Sequence, residues 1–312
     1  MKKGLELSRI YFLETAEPRL KEDFPDIYPR LAAGLSGNGS ECFGYDDEVS
    51  RDHDWGEDFF LWVTDADRER IPELIAWKKN LLTFFPPEHP RVQSEYGANV
   101  TVMTCGDFYR QLVGTPDVPG DVLQWFRIPE SNLAMCVNGE VFMDNAGDFS
   151  STRRHFLAYF PEDFRLKKIA AKCMAIAQTG QYNLQRMAKR HEPVTVHTVV
   201  SRFIDAVTGL VFLLNRVYRP YYKWENRMLR SLPILGSEIS SLLTRLASVA
   251  GIGQDELDLQ QNAVDRICQL LHGELKRQEI SSSEDWFFTA HGEEAMKRIS
   301  HDVIRSLPAT YE

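Results

Sequence analysis

Gly39-Ser40-Glu41-Cys42-Phe43-Gly44-Tyr45-Asp46-Asp47-Glu48-Val49-Ser50-Arg51-Asp52-His53-Asp54-Trp55-Gly56 is the stretch on which the reading of this chain turns. It opens on a Gly-Ser pair and closes on an Asp-x-Asp, and with Glu57 and Asp58 it brings seven carboxylates between positions 46 and 58. So many like charges in one loop repel unless cations or basic groups offset them. Asp52 and Asp54 are spaced i, i+2, which in extended chain turns both side chains to one face. Two such carboxylates can share a hard divalent cation, and magnesium is held in this way, with substrate phosphates and waters completing its shell. Gly39 ahead of Ser40 lets backbone N–H groups and a hydroxyl approach a triphosphate closely. A cradle for the terminal phosphates and a metal at the α-phosphate are the parts that an in-line nucleotidyl transfer needs.

Outward from this stretch the first half of the chain mixes helices with strands. Residues 5–13 and 18–35 carry apolar side chains at helical spacing, the second with Leu20, Phe24, Ile27, Tyr28 and Leu31. Gly34 and the run Ser36-Gly37-Asn38-Gly39-Ser40 then break the pattern. Residues 58–63 are short, aromatic-rich and strand-like, 65–85 read as a helix that stops before Pro86-Pro87, and 99–103 alternate as a second strand. Residues 133–143 read as a β-hairpin, because Asn138-Gly139 is the strongest two-residue turn signal. Beyond about residue 150 the strand signals fade, and 165–177, 199–218, 237–249 and 257–276 all show helical periodicity. The expected architecture is α+β: an α/β domain with a small mixed sheet over 1–150, then a helical bundle domain over 151–312.

Composition narrows the class of function. The 312 residues carry a formal charge of −9, which argues against extensive nucleic-acid binding, since phosphate backbones are held by basic surface. The N-terminus has no apolar core followed by a small-residue cleavage site. The most apolar run, 207–214, is interrupted by Asn215 and Arg216 and is too short to cross a bilayer. Cys42, Cys105, Cys136, Cys173 and Cys268 lie far apart, without zinc-like pairing, as a reducing cytoplasm permits. A cytoplasmic protein without membrane partners, handling small metabolites or metal-bound nucleotides, is the expectation.

Gly39-Ser40, followed by Ser50-x-Asp52-x-Asp54, resembles the signature of the DNA polymerase beta-like nucleotidyltransferase superfamily, which includes aminoglycoside and lincosamide nucleotidyltransferases. The longer string through Gly44, Asp46, Ser50 and Asp52-His53-Asp54-Trp55-Gly56 resembles more closely an uncharacterised bacterial family of that superfamily, known only as a domain of unknown function. The resemblance extends to Tyr218-Arg219-Pro220-Tyr221-Tyr222-Lys223-Trp224. It implies a catalytic N-terminal domain, a helical domain that helps bind substrate, and Mg2+ (or Mn2+) as cofactor. The implied activity is transfer of a nucleoside monophosphate from a nucleoside triphosphate to an unidentified, small-molecule acceptor. Carried across, Gly39 and Ser40 would touch the terminal phosphates, Asp52 and Asp54 would hold the metal as catalytic acids, and Lys223 would contact the nucleotide.

Two departures from that family pattern stand out. The interval from Ser40 to the Asp pair is longer than in the antibiotic-modifying members. The superfamily's third acid normally lies on a later strand, and residues 99–103 contain no carboxylate. Asp144 and Glu95 are the substitutes, with Asp144 taken as the third catalytic residue. The alternative to an enzyme is therefore a catalytically inactive nucleotide-binding regulatory protein. Other readings of the same residues carry less. Asp52 and Asp54 could belong to a solvated acidic loop, Ser40 could be a helix N-cap, and His53 a structural hydrogen-bonder. Arg153 and Arg154 read as surface residues. The dipeptides His53-Asp54 and His301-Asp302 suggest a metal phosphohydrolase, but its further histidines have no matching spacing. A calcium loop would need a distal glutamate where Ala66, Asp67 and Arg68 stand.

Overall fold

The structure, a computed structural model, describes residues 3–51, 55–91, 101–249, 251 and 253–312. The chain divides into two compact units, one made of residues 1–120 and 128–158, the other of 121–127 and 159–312. The fold is α+β, with a small mixed sheet and many helices.

In the first unit α1 (Gly4–Tyr11) runs through a π-helical turn, Phe12–Ala16, into α2 (Glu17–Asp23). The helix ends there, earlier than the periodicity of 18–35 suggests. Phe24 precedes Pro25, whose ring excludes the helical region for its neighbour, and Phe24 adopts φ −130°, ψ 51°. After a single 3-10 turn the chain becomes β1 (Ala32–Leu35), a strand where helix was expected. β2 (Phe60–Val63), β3 (Val102–Thr104) and β4 (Glu140–Asp144) complete a sheet of order β3-β2-β1-β4. β1 pairs antiparallel with β2 and with β4, while β2 and β3 run parallel. Of the expected strand 99–103, residues 99 and 100 lie outside the described residues.

Both faces of the sheet are covered, which is why β2 reads as an unbroken apolar run. Leu61 and Val63 join Phe12, Leu20, Phe59 and Val102 in one cluster under the first helices and α3 (Ile71–Phe84). Phe60 and Trp62 face the other way. Trp62 stacks on Phe149 of α6 (Asp148–Leu157) at 3.7 Å between ring centroids and meets Phe108 of α4 (Cys105–Val113) edge-on at 5.4 Å. At Gly34 β1 has no room for a side chain, since a Cβ there would come within 2.4 Å of the Glu140 carbonyl oxygen.

The expected hairpin over 133–143 does not form. Glu130–Val137 is a helix, α5, and Asn138-Gly139 turns the chain from that helix into β4, whose partner is β1. Gly139 adopts φ 65°, and a Cβ there would lie 1.9 Å from the Leu35 carbonyl oxygen. The turn chemistry holds, but the pairing is long-range.

A buried ion pair ties α3 to the sheet: Lys78 Nζ lies 2.6 Å from Asp58 Oδ1 and donates to Thr101 Oγ1 at 2.6 Å. Removing one member of such a pair strands the other charge in the core. Lys78→Met should lower the unfolding free energy by about 3–5 kcal/mol in urea titration. The double variant with Asp58→Asn should be the more stable of the two.

The second unit is helical: α7 (Glu162–Ile176), α8 (Leu184–Lys189), α9 (Pro193–Asn215), α10 (Tyr222–Leu229), α11 (Gly236–Ala247), α12 (Gln254–Arg277), α13 (Phe288–Lys297) and α14 (Asp302–Ser306). By length and composition alone α9 could cross a bilayer, but residues 207–214 are all buried and form the core of this unit. The cysteines are free thiols, four buried and Cys105 half-buried.

A polar chain runs through the packing of α12 and α13. Ser281 Oγ lies 2.7 Å from His291 Nδ1, and His291 Nε2 lies 3.0 Å from His272 Nδ1. Burial, reinforced by the neighbouring His272, pushes the His291 pKa from 6.5 down to about 4. Between those values the unfolded chain binds a proton that the folded chain refuses, so this contribution to stability declines as pH falls from 6.5 towards 4. Stability measured across that window should drop by about 1–3 kcal/mol on this account, and His291→Gln should flatten the slope.

Candidate functional site

The Gly39-Ser40 pair lies just past the C-terminal end of β1, the strand flanked on both sides. Its approach is laced to the α5–β4 turn: Asn138 Nδ2 donates to the Gly37 carbonyl at 2.8 Å, and the Gly37 amide donates to Asn138 Oδ1 at 3.0 Å. The Gly139 amide donates to the Cys42 carbonyl at 2.8 Å. Arg153, expected at the surface, is half-buried and donates to the Val137 carbonyl at 2.6 Å, fastening the same turn from behind. Arg154 is exposed.

From Gly39 the chain enters a 3-10 turn, Ser40–Phe43, that Gly44 ends with φ 69°. Ser40 is buried. Gly39 lies directly against the Glu41 carboxyl group, which a Cβ there would meet at 2.6 Å. Glu41 is wholly buried and ion-paired with Arg91. Burial raises its pKa, and the Arg91 charge works against that rise.

Asp46 is the second buried acid of the loop. Its Oδ2 accepts from the Gly4 amide at 2.9 Å and from the Trp55 indole Nε1 at 3.0 Å, and Lys3 Nζ lies 3.4 Å from Oδ1. Burial acts to raise its pKa, but these hydrogen bonds and the Lys3 charge prevail and hold the carboxyl below its usual range.

Arg51 and Trp55 bracket the Asp-x-Asp in sequence, and the Arg51 guanidinium lies 4.4 Å from the Trp55 ring centroid. Beyond Trp55, Gly56 takes φ 126°, and a Cβ there would also strike the His89 carbonyl oxygen at 2.7 Å and Arg91 Cα at 2.8 Å. The Glu57 amide then donates to the His89 carbonyl at 2.8 Å. The sheet register carries this segment to β2, where Phe60 pairs with Gly34, so β2 begins at the end of β1 from which Ser40 follows.

Asp52, His53, Asp54 and Glu95 lie outside the described residues. Among the described residues no three His, Cys, Asp or Glu side chains converge on one point that could hold a metal ion. Asp144 is described, and it does not join Ser40. It pairs with Ala32 at the start of β1, and its carboxylate accepts from the amides of Gly147 at 3.0 Å and Ser150 at 2.7 Å, at the start of α6. The acid of β4 at the Ser40 end is Glu140, opposite Leu35. Glu140 is about half exposed, with Arg9 Nε 3.6 Å from its carboxylate. Nothing local in the sequence distinguished Glu140 from Asp144, because only the strand register tells which end of the sheet each occupies. Lys223 belongs to the helical unit, exposed at the start of α10, with Nζ 5.2 Å from the Trp224 ring centroid.

Residues 125–225 match the family model "Domain of unknown function (DUF4037)". The match spans about a third of the chain. It takes in β4, Glu140, Asp144 and the run Tyr218–Trp224, whereas Gly39 to Gly56 lies outside it. None of the curated proteins matches the chain. Among solved structures, a nucleotidyltransferase-like protein from Exiguobacterium sibiricum 255-15 aligns with 13% identity and a TM-score of 0.34, over 88% of this chain and 81% of that one. A likeness of that size carries neither fold nor activity across.

Asp46 ties the N-terminus, the acidic loop and Trp55 together. Because its folded pKa is depressed, its contribution to stability is present above the unfolded carboxylate range and is lost as pH falls through the folded pKa. Asp46→Asn should cost about 1–3 kcal/mol at pH 7, and the deficit should shrink below about pH 4. Chemical unfolding at pH 7 and at about pH 3 checks both points.

Proposed function

We propose that the chain is a metal-dependent nucleotidyltransferase that moves a nucleoside monophosphate from a nucleoside triphosphate to a small acceptor. The observation that supports this most is the position of the Gly39-Ser40 turn: it follows the C-terminal end of β1, beside the end of β2 to which the Asp52-x-Asp54 segment leads. Ser40 and the backbone of its turn bind the terminal phosphates. Asp52 and Asp54 would hold Mg2+ (or Mn2+), which would supply charge neutralisation at the α-phosphate. Glu140 takes the third acid's place, which Asp144 cannot fill while it caps α6.

A second reading, nucleotide binding without transfer, is favoured by the commitment of Asp144 to the amides of Gly147 and Ser150. One pair of measurements separates the two. Asp52→Asn and Asp54→Asn should each reduce transfer by at least about a hundredfold, since a metal ligand supplies several kcal/mol of transition-state stabilisation. Triphosphate binding should weaken far less once magnesium is omitted from both wild type and variants. Turnover retained in both variants ends the transferase reading. Saturable magnesium-dependent binding with no transfer to any acceptor in a cell extract selects the second.

A further inference from the structure

Asn138 and Gly139 do more than turn the chain from α5 into β4. They fasten the segment that carries Ser40 at two points, one on each side of it. Ahead of Ser40 the Asn138 side chain pairs with Gly37: Nδ2 donates to the Gly37 carbonyl at 2.8 Å, and Oδ1 accepts from the Gly37 amide at 3.0 Å. Behind Ser40 the Gly139 amide donates to the Cys42 carbonyl at 2.8 Å. Residues 38–41, with the proposed phosphate turn among them, lie between the two fastenings.

The chemistry of this clamp calls for asparagine. The backbone ladder between β1 and β4 ends at Leu35 and Glu140. Beyond it a side-chain amide, which carries a donor and an acceptor as a peptide group does, supplies the next reciprocal pair of hydrogen bonds. An ionised aspartate would lack the donor, and an aliphatic residue would lack both groups. Gly37 is needed for a different reason. It takes φ 128°, which glycine adopts readily and other residues do not, while a Cβ there would meet nothing within 4 Å. The requirement is one of backbone conformation, not of space. The clamp is itself anchored from behind: Arg153 donates to the carbonyls of Val137 at 2.6 Å and Gly139 at 3.3 Å, and Ser36 Oγ lies 2.9 Å from Asn138 Oδ1.

We infer that Asn138 is a positioning residue for the triphosphate: by holding Gly37 in its positive-φ conformation, it keeps the Ser40 turn in the form that receives the terminal phosphates. This rests on the phosphate role proposed for Ser40. It adds a determinant of nucleotide affinity on a turn remote in sequence from the Gly-Ser pair, in a residue that does not itself touch the ligand. Where only a fraction of the chains has the turn formed, apparent affinity falls by that fraction.

The test is calorimetric titration of each common ribonucleoside triphosphate, with magnesium, into the full chain and into Asn138→Ala, with the matching monophosphate as second ligand. The triphosphate that binds the parent chain should bind Asn138→Ala about tenfold more weakly, as when the competent fraction falls by that factor. The monophosphate lacks the terminal phosphates, so its affinity should stay the same. A merely structural role would weaken both ligands alike. Gly37→Ala reaches the same contact from the other side without a clash, and so serves if Asn138→Ala folds poorly. It should weaken triphosphate binding similarly, and the double variant should bind no more weakly than the weaker single one, because both substitutions undo one contact. Unchanged triphosphate affinity in Asn138→Ala, or equal losses for both ligands, overturns the inference and leaves the proposed activity standing. No triphosphate binding by the parent chain overturns the phosphate role of Ser40, and the inference with it.

Discussion

The close backbone approach of β4 to β1 is the constraint on which the first unit depends. It is possible only because Gly34 and Gly139 lack side chains at the points of contact. Once made, it fixes much else. It sets which end of β4 carries Glu140, brings Asn138 against Gly37, and delivers the Gly139 amide to the carbonyl of Cys42. The Ser40 turn is thereby attached to the sheet by backbone bonds rather than by its own side chains. A loop carrying so much negative charge would otherwise have little reason to adopt one conformation.

Within that loop the acids divide by environment. Glu41 and Asp46 are buried and matched, the first by Arg91, the second by the Gly4 amide, the Trp55 indole and Lys3. Their pKa shifts run in opposite directions for a plain reason. Asp46 is stabilised as an anion by the Gly4 amide, the Trp55 indole and Lys3, whereas for the wholly buried Glu41 the cost of burial outweighs the Arg91 charge. Both serve the architecture of the loop. The helical unit repeats the theme with the opposite charge. There the buried Lys167 and Lys172 are matched by residues 308–312, so burial and pairing are again inseparable.

How much of this was readable in advance follows from how far each signal reaches along the chain. The long helices of the second unit were legible because their periodicity extends over several turns within one segment. The turns at residues 36–40 and at Asn138-Gly139 were legible because glycine and asparagine act on their own backbone. β1 was not, since Ala32-Ala33-Gly34-Leu35 has no strong local preference and becomes a strand by having β2 and β4 on either side. The hairpin over 133–143 failed for the same reason: its turn was local, its partner strand was not.

The sequence alone therefore determined the class of fold, the long helices of the second unit, the turns and the Gly-Ser and Asp-x-Asp pattern that raised nucleotide chemistry, because each depends on residues close together in the chain. Only the tertiary structure decided that Asp144 caps a helix while Glu140 lies at the Ser40 end of the sheet, and that Lys167 and Lys172 close on residues 308–312. Those outcomes depend on strand register and on burial against distant segments. Neither quantity is written at the residue itself.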